Sequence, residues 1–443
     1  MRSSERETLA RHILKASSAD ATSVLVSTRD AALARFSRAA IHQHVAGKDT
    51  SVSVRAVIGK RSGVAGTNRL DDTSLASLVR RATDLARFAP EDPRLAPLPC
   101  GSPTSAPQGS YVAATAQADP RLRTQALEAI FSVAEERGQW CAGFAATGSS
   151  GYTVANDAGA LASFDGTDAA INVKMNATDS TGFAEGYSTD IHGLDGRQIA
   201  ERAATKATQT AAPRSVDPGV WTVILEPAAL GELLVYLAGH FSAQTYDEGA
   251  SFFSGALGTF QLDERLTIQD DYAHPLNPGM PFDFEGQPTQ RLALVDHGTV
   301  SNIVTDSYWA QRLARENTGH ALPAPNAWGP HARHMVVAVG TQTTDELIAQ
   351  TERGLLVSRF WYIRTVDRKR AIVTGMTRDG TYLIENGKLA GGVRNLRFNQ
   401  SIVDALRSCE FSSEQQRTGG YSYSCVVPSA KLQQFRFTST TEF

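Results

Sequence analysis

His240 ends an apolar run, Leu233-Leu234-Val235-Tyr236-Leu237-Ala238-Gly239-His240, and brings an imidazole to a stretch that otherwise offers little chemistry. An imidazole takes up a proton or binds a metal near neutral pH. Val235 has no lone pair to donate, and Tyr236, with an ordinary pKa near 10, is a poor base at pH 7. A hydrolytic zinc site needs about three protein ligands and an open position, so one histidine does not make one. By itself, His240 reads as a partly exposed histidine near the carbonyls at its own helix's C-terminus.

Paired acids come next. Between Pro281 and Pro288, Asp283 and Glu285 alternate onto one face of a short extended segment, and Gly286 permits a turn. Two such carboxylates are the equipment of glycosidase-type acid–base chemistry, but capping turns and accepting backbone hydrogen bonds is the favoured reading. Asn317-Thr318-Gly319-His320 opens a Gly-, Pro- and Ala-rich loop that runs to His334, and long ordered loops often bind ligands. His331 and His334 read as solvated loop histidines, and His42 and His44 lie on one face of a strand with no acid nearby in sequence. Asp270, Asp271 and His274 read as a turn, marked by Pro275, Asn277, Pro278 and Gly279. Four cysteines without close pairs make neither a disulfide framework nor a zinc knuckle, so Cys409 and Cys425 read as small buried hydrophobes. No Gly-x-Ser-x-Gly elbow or cysteine-protease signature is present.

These residues need elements to hold them. Pro227 suits a first helical turn, and Leu230, Leu233, Leu234, Leu237, Ala238 and Phe241 form one apolar helix face. Val52, Val54, Ala56 and Ile58 alternate as in a half-buried antiparallel strand, with Gly63 read as the turn into the next. Residues 75–88 form a helix with Asp71, Asp72 and Thr73 as cap candidates, and a second helix covers 121–137. Between them, 88–111 is a Pro-, Gly- and Ser-rich excursion. Residues 339–406, with Glu346 to Ile348 among them, read as alternating strands joined by glycine turns. The break at 211–218 divides an N-terminal α+β domain with an antiparallel sheet, 1–215, from a β-rich α+β domain, 216–443. With 43 basic against 46 acidic residues, the formal charge of −3 excludes a nucleic-acid footprint; the run from Asp367 to Arg370 is too short to make one. The polar start, Glu5-Arg6-Glu7, lacks a signal-peptide core, and no apolar run is long enough to span a membrane, so a cytoplasmic location is expected.

From about Ala34 to Phe443 the chain resembles the TldD/PmbA family of metallopeptidase-related proteins. The resemblance is carried by Pro281-Phe282-Asp283-Phe284-Glu285-Gly286-Gln287-Pro288, Val295-Asp296-His297-Gly298, Asn317-Thr318-Gly319-His320, Glu385-Asn386-Gly387 and Gly391-Gly392-Val393-Arg394-Asn395. It implies a two-domain α+β fold with a barrel-like C-terminal domain. In the family's zinc-bearing TldD-type members the helix carries His-Glu-x-x-x-His, and those positions fall here on Val235, Tyr236 and His240, with only the last retained. The third ligand there is a cysteine, at a position that neither Cys409 nor Cys425 occupies. The resemblance therefore implies a TldE/PmbA-type subunit, itself non-catalytic and without zinc or another cofactor. Its expected partners are a TldD-like homologous subunit carrying the zinc, as a heterodimer, and unfolded or leader peptides, with neither nucleic acid nor membrane. Asp283, Glu285, Gly286, Asn317, Gly319 and His320 are the implied substrate-binding candidates. The alternative is an autonomous peptide hydrolase using His240, a loop histidine and Cys409 or Cys425, with or without metal.

Overall fold

The computed structural model describes residues 1–101, 105–419 and 424–441. Ser102 to Thr104, inside the Pro-rich stretch, and Glu442 and Phe443, where the resemblance ends, lie outside the described residues.

Six antiparallel strands form the first sheet, in the order β3-β2-β1-β4-β5-β6: β1 Ala21–Ser37, β2 Ala40–Ile58, β3 Arg61–Thr67, β4 Trp140–Asn156, β5 Leu161–Asn176 and β6 Thr181–Ser188. Val24, Val26, Ala34 and Phe36 are buried on the same side of β1, and that one side carries two cores. Helices α1 (Ser3–Lys15) and α2 (Asp72–Phe88) cover one end. At the other end lie α4 (Pro120–Glu136) and α5 (Gly196–Gln209), after a short α3 (Ala113–Ala116). Asp71 caps α2 by accepting from the Ser74 N–H. Gly63 is not the expected turn. Gly59, at φ +58°, takes that place, and Gly63 lies within β3, where a Cβ would come 2.3 Å from the backbone N of Ala86 on α2.

The second domain is built on a closed ring of strands. β7 (Gly219–Leu225), β12 (Arg353–Asp367), β13 (Ile372–Glu385), β15 (Leu396–Ser401) and β17 (Cys425–Thr440) pair in sequence, and β17 pairs back onto β7. Closure removes the free edges, and this is the barrel the resemblance implied. The sheet extends from β17 through β11 (Met335–Val337), β8 (Ile268–Asp270), β9 (Leu292–Asp296) and β10 (Thr299–Val300), while β14 (Lys388–Gly392) and β16 (Cys409–Thr418) pair at its margins. Helix α6 (Pro227–Ala238) shares the barrel's core through Leu230, Leu233, Leu234 and Leu237. Four short helices complete the domain: α7 (Ala243–Asp247), α8 (Ser307–Leu313), α9 (Thr344–Ala349) and α10 (Ile402–Ala405). Glu346 to Ile348, expected among strands, lie in α9 because Thr343 and Glu346 form a capping box. Among the described residues no helix is long and apolar enough to cross a membrane.

The domains meet over the other side of the first sheet. Val154, Ala162 and Phe164 pack there against Met280 and Phe282 of the second domain. Asp379, buried on β13, accepts from Thr181 Oγ1 at 2.8 Å and pairs with Lys174 at 3.3 Å.

Candidate functional site

Because α6 runs through the barrel core, its C-terminal end is covered. His240 lies in a single 3-10 turn, Gly239–Phe241, and is only 4% exposed, not at the surface as its position in sequence implied. The chain after it folds back: Phe252 packs its ring 5.4 Å from the imidazole and donates its backbone N–H to Nδ1 at 3.3 Å. Burial, followed by the charge of Arg368, pushes the imidazole down to about 4, so it is neutral at pH 7. Tyr236 turns elsewhere and donates its hydroxyl to the Ile363 carbonyl at 2.6 Å. Half-buried Val235 offers no donor atom. Among the described residues no group of three His, Cys, Asp or Glu side chains is arranged to hold a metal ion, so zinc does not fit this helix. Tyr236→Phe removes one hydrogen bond to a backbone carbonyl and is expected to cost about 1 kcal/mol. Urea unfolding at pH 7 measures it; a cost above twice that would point to a further role for the hydroxyl.

A cavity of about 770 Å³ opens between the domains, with Arg55, Phe284, Glu285, Asp306, Tyr308 and Trp309 in its wall. Asp283 lies behind this wall, fully buried, and accepts backbone N–H groups from Glu285, Gln287 and Ala321. It thereby ties the turn at Gly286, whose φ is +86°, to the start of the loop after residue 317. Burial and then the charge of Glu285 push its carboxyl up to about 7, against the pull of those N–H groups. The expected shared face of the two acids is therefore absent: Asp283 organises backbone, and only Glu285 reaches the cavity. Glu285 faces Arg55 at 3.4 Å and accepts from the Ser307 N–H. Asp306 caps α8 through the Trp309 N–H, and burial followed by the charge of Glu285 raises it to about 6. An acidic, aromatic-walled cleft of this kind suits a mixed polar and apolar ligand.

The remaining candidates serve the loop. Asn317 bonds Ser307 Oγ and the Gly319 N–H, while Gly319, at φ +71°, lies against the Pro288 backbone. His320 is completely buried, bonded through Nδ1 to Thr318 Oγ1, with Nε2 3.5 Å from Asp270 Oδ1. His334 Nδ1 lies 3.8 Å from the same oxygen, and its backbone N–H donates to Asp270 Oδ2. Neither His331 nor His334 is a solvated loop histidine: burial lowers both, His331 to about 4. Asp270 is the last residue of β8, and its partners are these distant histidines in place of His274. His42 and His44 are exposed, as a surface strand requires, and His44 Nε2 lies 3.3 Å from Arg123. Cys409 and Cys425 are buried thiols. Sequence reasoning missed Asp306 and Arg55; an acid directly before the helix at Ser307 was a legible cap signal for the first, and nothing local marked the second.

A two-domain α+β architecture with a closed C-terminal barrel and an interdomain cleft defines the class. Family profiles then agree over most of the chain: the PmbA/TldA metallopeptidase C-terminal domain matches residues 218–439, and domain 1 of the same metallopeptidases matches 23–86. The chain belongs to the TldD/PmbA family. Among curated proteins it is 24% identical over 238 residues to the metalloprotease TldD homologue of Haemophilus influenzae, covering 53% of this chain and 48% of that protein. It is also 32% identical over 133 residues to an uncharacterised protein of Methanocaldococcus jannaschii, covering 29% and 31%. The chain thus spans less than half the length of these relatives. TldE from Thermococcus kodakarensis shares the fold at a TM-score of 0.87 and 20% identity, over 98% of this chain and 100% of that one.

Proposed function

We propose that this chain is a TldE/PmbA-type subunit of a TldD/TldE-like metallopeptidase, non-catalytic itself and completed by a TldD-like homologous subunit that carries the zinc. The observation that carries this reading is the state of the α6 positions: Val235 offers no donor, Tyr236 is bonded to Ile363, and neutral His240 is packed on Phe252. The interdomain cleft is its peptide-handling surface, and unfolded or leader peptides, the substrate class the family resemblance implies, are its substrates. A cytoplasmic location suits four free cysteines. The autonomous alternative has less support. Burial pushes the Cys425 thiol up to about 12, and Cys409 higher still, so neither supplies a thiolate nucleophile at neutral pH.

Zinc content and hydrolysis of an unfolded peptide test this, on the chain alone and co-expressed with its TldD-like homologue. Expected are no hydrolysis and no zinc alone, with hydrolysis and about one zinc per heterodimer together. Metal-dependent hydrolysis by the chain alone, lost on His240→Ala, would overturn the reading.

A further inference from the structure

The charge run from Asp367 to Arg370 ends an exposed, aromatic strand edge. Between residues 359 and 370 five basic residues stand against one acid, in a chain whose formal charge is −3, and all lie on the second half of β12 and the turn after it. This half of the strand has an open side. β7 pairs with β12 only from Leu355 to Val357, and beyond that α6 covers just the start of the edge, where Glu232 accepts the Phe360 N–H and Tyr236 donates to the Ile363 carbonyl.

Large apolar side chains stand outward here: Trp361, Tyr362 and Val366 are 45%, 61% and 55% exposed. Two of the three come with irregularities in the ladder to β13. From the Trp361–Met376 pair to the Arg364–Thr374 pair, and again from Thr365–Val373 to Asp367–Ile372, β12 holds one residue more than its neighbour. The first bulge contains Tyr362, held at φ +59°, a conformation that is costly for a bulky side chain, and the second contains Val366. Among the described residues neither side chain belongs to a hydrophobic core, so nothing within the chain repays the irregularity. Bulges re-aim side chains, and these aim apolar ones at solvent.

The cations around them are open as well. Arg364, Arg368, Lys369 and Arg370 are exposed, and none of the four has an ion-pair partner among the described residues. Arg359 and Arg378 each lie 5.0 Å from the Trp361 ring, and Arg364 lies 4.3 Å from that of Tyr362, so the rings are held in place before anything binds. Exposed aromatics steadied by arginine are the residue types that carry most of the energy of a protein interface. The sign of the charge selects the partner. A two-fold dimer through this face would set the same four cations against their own copies, so the surface fits a different chain, one with carboxylates around an apolar centre.

We propose that the β12 edge from Trp361 to Arg370 is the surface on which the TldD-like homologous subunit docks, through an acidic face of that subunit. The proposal rests on the heterodimer reading above and gives that heterodimer its contact on this chain.

The test measures association of the purified chain with its purified TldD-like homologue by surface plasmon resonance, for the parent, for Trp361→Ala and for a triple charge reversal, Arg364→Glu, Lys369→Glu and Arg370→Glu. Expected is a loss of at least about tenfold in affinity in each variant, through faster dissociation for Trp361→Ala and slower association for the charge reversal. The parent's association is also expected to slow as salt is raised from about 50 to about 500 mM, and the reversed variant's is not. The reversed side chains are all exposed, so that variant keeps its fold, as a thermal melt verifies, and it carries the test on its own if Trp361→Ala unfolds. A complex whose affinity the charge reversal leaves unchanged overturns this surface and leaves the heterodimer reading standing. No complex with the parent at either salt overturns both. Self-association of the parent that the charge reversal abolishes gives the edge to a second copy of this chain and overturns its assignment to the homologue.

Discussion

Asp270→Ala is expected to destabilise the protein by about 3–5 kcal/mol and to release the loop of residues 317–334 from the domain. Asp270 is completely buried, and two segments far from it in sequence converge on its carboxylate. One oxygen faces His320 Nε2 and His334 Nδ1 at 3.5 and 3.8 Å, longer than close hydrogen bonds. The other oxygen accepts the His334 backbone N–H at 3.1 Å. A backbone bond from His331 N to the His320 carbonyl closes the loop on itself beside this point. Burial alone would push the Asp270 carboxyl up, but the facing imidazoles outweigh it and hold it well below 3.8. A carboxyl with a depressed folded pKa contributes stability above its unfolded value and loses it as pH falls through the folded one, so the Asp270 contribution is complete at pH 7 and fades below about pH 4. Removing the acid strands two buried imidazoles and one buried N–H, which is why the expected loss exceeds that of an ordinary hydrogen bond. Urea unfolding at pH 7 gives the cost, and hydrogen exchange across residues 317–334 reports the release. A loss under about 1 kcal/mol with an unchanged exchange pattern would show that the loop is held by something else.

How much of this was readable in advance depended on the distance over which a residue acts. The Asp71 cap, the alternation along β2 and the apolar face of α6 are properties of neighbouring residues, and each appeared where the sequence put it. The turn at Glu385-Asn386-Gly387 is likewise local, with Asn386 and Gly387 both at positive φ. Gly63 was misread because a glycine required by an approaching helix looks, in sequence, like one required by a turn. His240 was placed at the surface because a helix end usually lies there, and only the later return of Phe252 covers it. Asp270 and His320 are fifty positions apart, and Arg55 and Glu285 more than two hundred, so no spacing rule joins them. The individual side chains were visible as candidates; which of them meet is decided by the pairing of β8 with β11 and by the seating of the first sheet on residues 280–284.

Glu232→Gln is expected to stabilise the protein, by roughly 2–3 kcal/mol at pH 7 and by less as the pH is lowered. Glu232 is the one acid within α6, and its Oε2 accepts the Phe360 backbone N–H at 2.8 Å. Burial is the largest influence on it, raising its carboxyl to about 8 from 4.5, with Glu185 and Asp379 adding to the rise against the pull of Arg359 and that N–H. The sign follows from proton counting. Between pH 4.5 and about 8 the folded chain holds a proton on Glu232 that the unfolded chain has released, so stability falls as pH rises through that window. Glutamine keeps the shape of the protonated acid and an acceptor for Phe360 without the titration. His240 and His331, held down to about 4, act in the opposite sense, since below pH 6.5 the unfolded chain takes up protons they refuse. The comparison must therefore be variant against parent at each pH. The difference in unfolding free energy is expected to be small at pH 4.5 and to grow steadily to pH 8. A difference that stays flat across that range, or a variant less stable than its parent at pH 8, would show that Glu232 is ionised in the folded protein and that Arg359 pairs with it outright.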